Sequence, residues 1–367
     1  MTESASITGI RLGLCCIFLE QPIKFRNTTV KSISGMNRDA ALVKLSGLCL
    51  ANADALLASL QFCAENGIGC FRINSQILPV KTHADCRYDV SELPDGDEIV
   101  RCFKACGKFA RSHDLRTCFH PDQFVVLNSP RPEVVERSIE ELEYQSEVAE
   151  WVGADVVNIH GGGAYGDKTK ALDRFSAFLS RLSDRARSRL TVENDDVTYT
   201  PSDLLPVCRS TVEEATTQAI STWNREPIFH LSSPLEGWKG PKPKRHHDFI
   251  NIVDFPECWR NLSLTVEVEA KAKEVAVLKL MKQLSQKWLV YILRCADGSL
   301  YTGITNDLER RIQQHNAGTA SRYTRSRLPA ILVYHEPQPN QSVSLKRELE
   351  IKALPREAKE KLIQSAM

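Results

Sequence analysis

Five apolar segments of this 367-residue chain end in a residue that can bind a metal ion. These residues are His120, His160, Glu193, His230 and Glu269. Imidazole and carboxylate groups without a thiolate suit divalent ions such as manganese or zinc. Several such ions together suit phosphodiester hydrolysis, because one lowers the pKa of a water and another stabilises the leaving oxygen. A single histidine at a strand end is more often structural, so the hypothesis depends on all five converging.

The segment NIHGGGAYG allows two interpretations. Gly161, Gly163 and Gly166 fit the pattern G-x-G-x-x-G between a strand and a helix, which is typical of a dinucleotide loop. The strand, however, ends in His160, and the next strand ends in Glu193. Taken with the other strand ends, this favours His160 as the functional residue, with glycines that let backbone and substrate approach closely.

Short apolar strands alternate with amphipathic helices through most of the chain. This rhythm predicts an α/β fold, a (β/α)8-type barrel whose functional residues lie at the carboxyl ends of the strands. The predicted helices end at Asn66, His113, Val152 and Arg187. The predicted strands are IRLGLCC, GCFRIN, RTCFHP, ADVVNIH, RLTVEND, PIFHLSSP and LTVEVEAK.

One strand of the expected eight is missing. The segments PSDLLPVCR and STVEEATTQAISTW read as two consecutive helices, with no strand between Arg209 and Ser210. A missing internal strand leaves ladder hydrogen bonds unpaired, each costing about 1 to 3 kcal/mol if buried. Either Glu193 and His230 become neighbours and share an ion, or the barrel opens locally and binds metal poorly. Because closing seven strands disturbs the shear of the whole barrel, we expect opening.

Charge and composition divide the chain. Residues 1 to 286 carry 34 Lys and Arg against 38 Asp and Glu, or −4, whereas residues 287 to 367 carry 13 against 8, or +5. This shift predicts two domains, residues 1 to 286 and 287 to 367. The start MTESASITGI lacks a signal-peptide pattern, no apolar run approaches the ~20 residues of a membrane helix, and the twelve cysteines form no C-x-x-C pair. We therefore expect a cytoplasmic protein with reduced cysteines and no membrane partner.

Residues 10 to 284 resemble the UV damage endonucleases, whose barrel is related to that of endonuclease IV. The motifs that carry the resemblance are FRINSQILP, CFHPDQFVVLNSP, NIHGGGAYG, TVENDD, GPKPKRHHDF and VEVEAKAKE. The resemblance implies a monomeric DNA repair endonuclease that cuts damaged double-stranded DNA 5′ of UV-type lesions, with manganese or zinc as cofactor. It also implies metal binding by His120, His160, Glu193, His230, His247 and Glu269.

Further positions are implied to contact DNA. His83 matches a histidine near the scissile phosphate, and Gln123 and Phe124 match a pair that probes damaged bases. An aromatic wedge beside an amide can fill the space left by flipped bases, although core packing is an equal alternative for Phe124. Four cations around Trp238 favour phosphate contact over a merely solvated loop. They are Lys239, Lys242, Lys244 and Arg245.

The chain departs from the family pattern in two places. The family's metal-binding strand, with an Asp and a His-rich run, is absent between Arg209 and Ser210, and Ile228 stands where the family has a modified lysine. The metal set is therefore incomplete. As an alternative, the barrel is inactive or only binds damaged DNA, and the tail is the sole nuclease. A sugar isomerase on the same barrel is a third option, but it does not explain the tail.

The tail contains a predicted hairpin, KWLVYILRCADGSLYTGIT, with an Asp-Gly turn, followed by a helix from about Asp307. Residues 288 to 363 resemble the GIY-YIG nuclease domain, with VYI and YTG as the two halves of its signature. A tyrosinate can accept a proton from water, an arginine can stabilise phosphate charge, and a carboxylate can hold magnesium. Ordinary strand packing is the alternative for the two tyrosines. The resemblance implies catalytic roles for Tyr291, Tyr301, Arg311 and His315, and magnesium binding by Glu348.

Overall fold

The computed structural model describes residues 9–193, 198–199, 212–242, 244–285, 288–338 and 341–365. The chain divides into two compact units, Met1–Met281 and Lys282–Met367. The domain boundary predicted after Gln286 falls on residues 286 and 287, which lie outside the described residues, so it stays a prediction. The predicted helix PSDLLPVCR and the junction between Arg209 and Ser210 also lie outside them.

The first unit is built on a parallel sheet of seven strands, curled into an incomplete barrel, and the sequence-based prediction of seven strands is confirmed. The order across the sheet is β5-β4-β3-β2-β1-β7-β6. Strands covered on both faces are apolar along their whole length, which explains the continuous apolar runs. The strands are β1 (Ile10–Cys15), β2 (Cys70–Ile73), β3 (Arg116–Phe119), β4 (Val156–His160), β5 (Leu190–Glu193), β6 (Ile228–Leu231) and β7 (Leu264–Val268).

The barrel is open between β5 and β6. These two strands form the ends of the sheet, and among the described residues no backbone ladder joins them. This is where the sequence lacks a strand. Arg225, three residues before β6, donates from Nη1 to the carbonyl of Asp155 at 2.6 Å and from Nη2 to that of Ser188 at 2.9 Å. Side-chain hydrogen bonds therefore bridge the two sides of the opening near the start of β5 and β6.

Eight α-helices begin in the described part of the first unit. The predicted helix ending at Arg187 is two helices, because Ser183 starts a new one by accepting a hydrogen bond from the backbone of Ala186. The helices are α1 (Val30–Ser34), α2 (Arg38–Glu65), α3 (Gly96–Ser112), α4 (Pro132–Val152), α5 (Lys168–Leu179), α6 (Asp184–Arg187), α7 (Val212–Ser221) and α8 (Lys273–Ser285).

Helix α2 is long and apolar enough, by length and composition alone, to cross a membrane, which the sequence analysis did not expect. Its buried residues recur at helical spacing, as in Leu45, Cys49, Leu56 and Leu60, and the helix packs against α3 and β2. In this structure α2 is therefore a core helix of the first unit.

The second unit has a three-stranded antiparallel sheet in the order β10-β8-β9. The predicted hairpin is present, and in its turn Asp297 Oδ1 accepts from the backbone of Ser299 at 3.0 Å. Asp307 caps the helix predicted to follow. The strands are β8 (Trp288–Cys295), β9 (Leu300–Thr305) and β10 (Ala330–Gln338); the helices are α9 (Leu308–Asn316), α10 (Arg322–Arg325), α11 (Gln341–Ala353) and α12 (Arg356–Gln364).

Candidate active sites

Three histidines surround the carboxylate of Glu193 in the first unit. His160 Nδ1 lies 2.7 Å from Glu193 Oε1, while His120 Nε2 and His230 Nδ1 lie 3.1 Å and 2.9 Å from Glu193 Oε2. The backbone of β5 does not pair with β6 in the described chain, yet their side chains meet across the opening. The structure therefore combines the two outcomes considered from the sequence: the sheet is open, and Glu193 and His230 are in contact.

Strand register explains why these groups converge. His160 is paired with Glu193 across β4 and β5, and His230 is paired with Glu267 across β6 and β7. Paired residues of parallel strands point to the same face, and His120 directly follows the end of β3. The carboxyl ends of the strands thus direct these side chains to one region, as in other barrels.

The titration properties follow from these contacts. Burial alone would raise the pKa of Glu193, but hydrogen bonds from the three histidines hold this pKa well below its usual range. The hydrogen bond to Glu193 raises the pKa of His160. Burial works to lower the pKa of His230, yet the charge of Glu267 and the hydrogen bond to Glu193 raise it to about 10. The cluster thus stabilises positive charge beside Glu193.

A second group lies behind the first and includes two residues that the sequence analysis missed. Arg72 Nη1 donates to Glu267 Oε2 at 3.0 Å and to Glu269 Oε1 at 2.7 Å. Burial would raise the pKa of Glu267, but the positive charges of Arg72 and His230 keep it well below its usual range. Glu267 could have been found from the period-two alternation of β7, which places it on the same face as Glu269.

The donor set fits a divalent ion. One ligand atom each from His120, Glu193 and His230 lies within 4.8 Å of the others, and so does one each from His230, Glu267 and Glu269. These nitrogen and oxygen donors suit manganese or zinc. His247, the remaining implied ligand, belongs to neither group of described residues; its Nδ1 accepts from the backbone of Phe249 at 3.0 Å.

The glycines after His160 let the backbone pack closely on a neighbouring side chain, and the approach of a substrate stays a prediction. Gly162 has a φ of +78°, and a Cβ there would lie 2.2 Å from Asn128 Oδ1. The buried Asn128 donates from Nδ2 to the carbonyls of Gly161 and Gly163 at 2.8 Å and 3.0 Å. Close packing on Asn128 therefore requires glycine at position 162, which also lines the groove described below.

A groove of about 1310 Å³ lies beside the histidine cluster. Its lining includes His83, Gln123, Phe124, His160 and Lys244. Phe124 is 75% exposed, so core packing, one of its two interpretations, is wrong. The four predicted phosphate-contacting cations are exposed, and none has an ion pair with another described residue. These are Lys239, Lys242, Lys244 and Arg245.

The second unit contains a chain of hydrogen bonds through a buried histidine. His315 Nε2 lies 2.9 Å from the hydroxyl of Tyr291, and His315 Nδ1 lies 2.8 Å from Thr324 Oγ1. Arg311 Nε donates to the same tyrosine hydroxyl at 3.3 Å. The Thr324 hydroxyl donates to the carbonyl of Ser321, so it accepts from Nδ1–H of His315. This leaves Nε2 to accept the proton of Tyr291.

The environment keeps this histidine neutral. Burial, and then the positive charge of Arg311, lower the pKa of His315 to about 4. Burial raises the pKa of Tyr291 to about 12, although the hydrogen bond from Arg311 works to lower it. At neutral pH the pair is therefore a phenol beside a neutral imidazole.

The other predicted residues of the second unit lie around this pair. The ring of Tyr301 lies 4.9 Å from that of His315, and the negative charge of Glu348 contributes to the raised pKa of Tyr291. Glu348 Oε1 also lies 3.0 Å from Lys352 Nζ. Gly303 is required because a Cβ there would lie 2.6 Å from the Tyr291 hydroxyl.

Comparisons with known proteins agree with these two units. Residues 10–213 and 209–293 match the family model described as UV-endonuclease UvdE, and residues 287–361 match the GIY-YIG catalytic domain. The two UvdE segments meet at residues 209–213, around the junction where the sequence lacks a strand. The resemblances inferred from the motifs are thus confirmed.

Individual relatives give the same result. The UV DNA damage endonuclease of Bacillus velezensis is 31% identical over 309 aligned residues, covering 76% of this chain and 93% of that protein. Since 76% of 367 is about 279, about 30 aligned positions have no residue in this chain. The corresponding protein of Bacillus pumilus is 30% identical, covering 71% of this chain and 88% of that protein.

Solved structures include one close in fold to the first unit. The crystal structure of SacUVDE has a TM-score of 0.66 and 25% identity, covering 75% of this chain and 98% of that chain. A UPF0213 protein of Bacillus halodurans is 44% identical, with a TM-score of 0.16, over 21% of this chain and 83% of that chain. The chain therefore belongs to the UV-endonuclease UvdE family and is a DNA repair endonuclease that also carries a GIY-YIG catalytic domain.

Proposed function

We propose that the first unit hydrolyses the backbone of damaged double-stranded DNA on the 5′ side of UV-type lesions, with manganese or zinc as cofactor. The observation that carries this proposal is the convergence of His120, His160 and His230 on Glu193 beside the groove, despite the open sheet. The same contacts argue against the alternative in which this unit only binds DNA, because the candidate ligands remain together.

The roles of the residues follow from their places. His120, His160, Glu193, His230 and Glu269 would hold the ions. A bound ion of this kind lowers the pKa of a water and stabilises a leaving oxygen. Within the groove, exposed Phe124 and Gln123 would enter the space left by flipped bases, because an exposed ring beside an amide can stack and hydrogen-bond there.

DNA would be held by exposed groups in the groove and on the loop that contains Lys244. His83 lies on its wall and is 46% exposed, so it is accessible to a phosphate. The four cations at Lys239, Lys242, Lys244 and Arg245 supply charge that is not neutralised within the described chain. We further propose a cytoplasmic monomer with its domain boundary at residues 286 and 287.

The test is nicking of a UV-irradiated duplex by the full chain with manganese, compared between the wild type and two single variants. Glu193→Gln keeps the size of the side chain but removes the charge that three histidines face, so nicking 5′ of the lesion should disappear. Tyr301→Phe is the matched control in the second unit and should leave this nicking unchanged. Nicking that survives Glu193→Gln and is lost in Tyr301→Phe would assign the activity to the second unit instead.

The second unit supports a second phosphodiester hydrolysis, for which Glu348 would hold magnesium. The hydrogen-bond chain through Tyr291 carries this candidate function. As Tyr291 accepts a proton from the attacking water, its own proton would pass to Nε2 of His315, and Arg311 would stabilise the charge that develops on the phosphate. Tyr291→Phe in the Glu193→Gln background should abolish magnesium-dependent cleavage of DNA. Cleavage unaffected by this change would contradict the role of Tyr291.

A further inference from the structure

His230 faces a carboxylate through each of its ring nitrogens. Its Nδ1 lies 2.9 Å from Glu193 Oε2 and 3.6 Å from Glu269 Oε1, both of them candidate metal ligands. Its Nε2 lies 3.0 Å from Glu267 Oε2. The two nitrogens therefore have different surroundings: Nδ1 faces the candidate metal site, and Nε2 faces the carboxylate of Glu267 inside the barrel. Asn158 Nδ2 lies 3.4 Å from Nε2, but it has a closer acceptor in Glu193 Oε2, at 2.9 Å.

Glu267 is held firmly in place. The residue is 2% exposed and lies within β7, one strand away from the opening. Its Oε1 accepts from Cys118 Sγ at 2.7 Å, and its Oε2 accepts from Arg72 Nη1 at 3.0 Å. Because three different strands supply its partners, a change in one side chain of the site cannot easily move this carboxylate.

We propose that Glu267 is a positioning residue of the metal site, which accepts a hydrogen bond from Nε2–H of His230 and thereby directs Nδ1 toward Glu193 and Glu269. Metal-binding histidines commonly donate their second ring N–H to a carboxylate, which fixes the ring and raises its basicity. This inference rests on the proposed function of the first unit.

Both oxygens of Glu267 are already engaged by donors, which distinguishes it from a direct ligand. A direct role would require Arg72 and Cys118 to release the carboxylate. A positioning role requires no rearrangement, because the contact between His230 and Glu267 is already formed. The two roles predict different numbers of bound ions when Glu267 is replaced.

The first measurement is calorimetric titration of manganese alone into the full chain. Glu267→Leu should weaken the affinity about 10- to 100-fold without changing the number of ions bound. Glu267→Gln retains an oxygen that can accept from Nε2–H, so its loss should be several-fold smaller. A lower number of bound ions in either variant would make Glu267 a ligand, and an unchanged affinity in both would remove its role; either result overturns the proposal.

The second measurement is independent of metal. In the metal-free full chain with ¹⁵N-labelled histidine, the Nε2–H proton of His230 should exchange slowly with water, assigned by its loss in His230→Gln. This signal should persist in Glu267→Gln and vanish in Glu267→Leu. Its absence from the wild type would overturn the positioning role. Failure of the wild type to bind manganese would instead contradict the proposed function, so the two failures are distinguishable.

Discussion

The two units each place a histidine at a candidate active site, but they shift its pKa in opposite directions. His230 in the first unit faces Glu193 and Glu267, and its pKa is raised to about 10. His315 in the second unit is buried near Arg311, and its pKa is lowered to about 4. The neighbours thus decide the role: the first site favours positive charge and suits a metal ion, whereas the second keeps an imidazole neutral to accept a proton.

The largest effect is expected from the charges behind the first site. Arg72→Met leaves the carboxylates of Glu267 and Glu269 without their guanidinium, which should cost about 3 to 5 kcal/mol of stability. This cost is measured by hydrogen exchange of the β7 amides in the full chain at increasing urea concentration. A chelator keeps the chain free of metal during the measurement. In the second unit, Arg294→Met breaks the partly exposed pair with Glu360, and its cost should be much smaller because water screens this pair. Equal costs would contradict the contrast between the units.

The next effect concerns catalysis in the second unit. Arg311→Ala removes the cation near the attacking group and should lower magnesium-dependent cleavage by about 10²- to 10³-fold. Arg311→Lys keeps the charge but loses the planar guanidinium group, so its activity should lie between those of the wild type and Arg311→Ala. The rates are measured in the Glu193→Gln background, and manganese binding by the first unit should not change. Wild-type rates in Arg311→Ala would show that this arginine is not catalytic.

A smaller effect is expected when the pH is lowered, and it concerns the stability of the second unit. Because the pKa of His315 is lowered to about 4 in the folded chain, the unfolded chain binds the proton first as pH falls. The stability of the second unit should therefore be fully present above pH ~6.5, the ordinary histidine value, and decline as pH falls toward 4. Hydrogen exchange of the β8 amides measures this decline. His315→Gln cannot titrate and should show a flatter profile between these pH values; an identical slope would exclude His315 as the cause.

Thr324 tests how the neutral histidine is oriented. Thr324→Val removes the oxygen that accepts from Nδ1–H of His315. The ring then loses its preference for the tautomer in which Nε2 is unprotonated and can accept a proton. Cleavage should fall about 10-fold, comparable to the cost of one unsatisfied buried donor. Thr324→Ser retains the acceptor and should restore the rate. If the serine and valine variants have equal rates and pH profiles, the hydrogen bond to Thr324 has no role in catalysis.

The smallest effect concerns the opening of the barrel. Arg225→Ala removes the two hydrogen bonds to the carbonyls of Asp155 and Ser188, at a cost of about 1 kcal/mol. We expect β5 and β6 to exchange their amides faster than β1 and β2 in the wild type, and faster still in this variant. Unchanged exchange in β5 and β6 would mean that Arg225 does not hold the two sides together.

Local patterns were sufficient for the strands and for most of the cluster. Continuous apolar runs predicted the seven strands, and the rule that parallel strands carry functional groups at their carboxyl ends brought His120, His160 and Glu193 together. The hairpin of the second unit followed from its Asp-Gly turn. These features depend on short stretches of sequence, which is why they could be predicted.

Features that depend on contacts between distant segments could not be predicted. Alternation along β7 places Glu267 on the same face as Glu269, but only the register with β6 shows that it meets His230. The role of Gly162 likewise depends on Asn128, more than thirty residues earlier in the chain.

The order of the strands determines how this protein can fold during synthesis on the ribosome. Strands β1 to β4 each pair with the next strand along the chain, so a five-stranded sheet of β1 to β5 can assemble while residues 10 to 193 emerge. Among the described strands, only β1 and β7 pair across most of the first unit, Ile10 with Leu264. This pairing must wait until most of the chain is made. Until then β1 is an unprotected edge, so the nascent chain is most prone to aggregate just before β7 arrives.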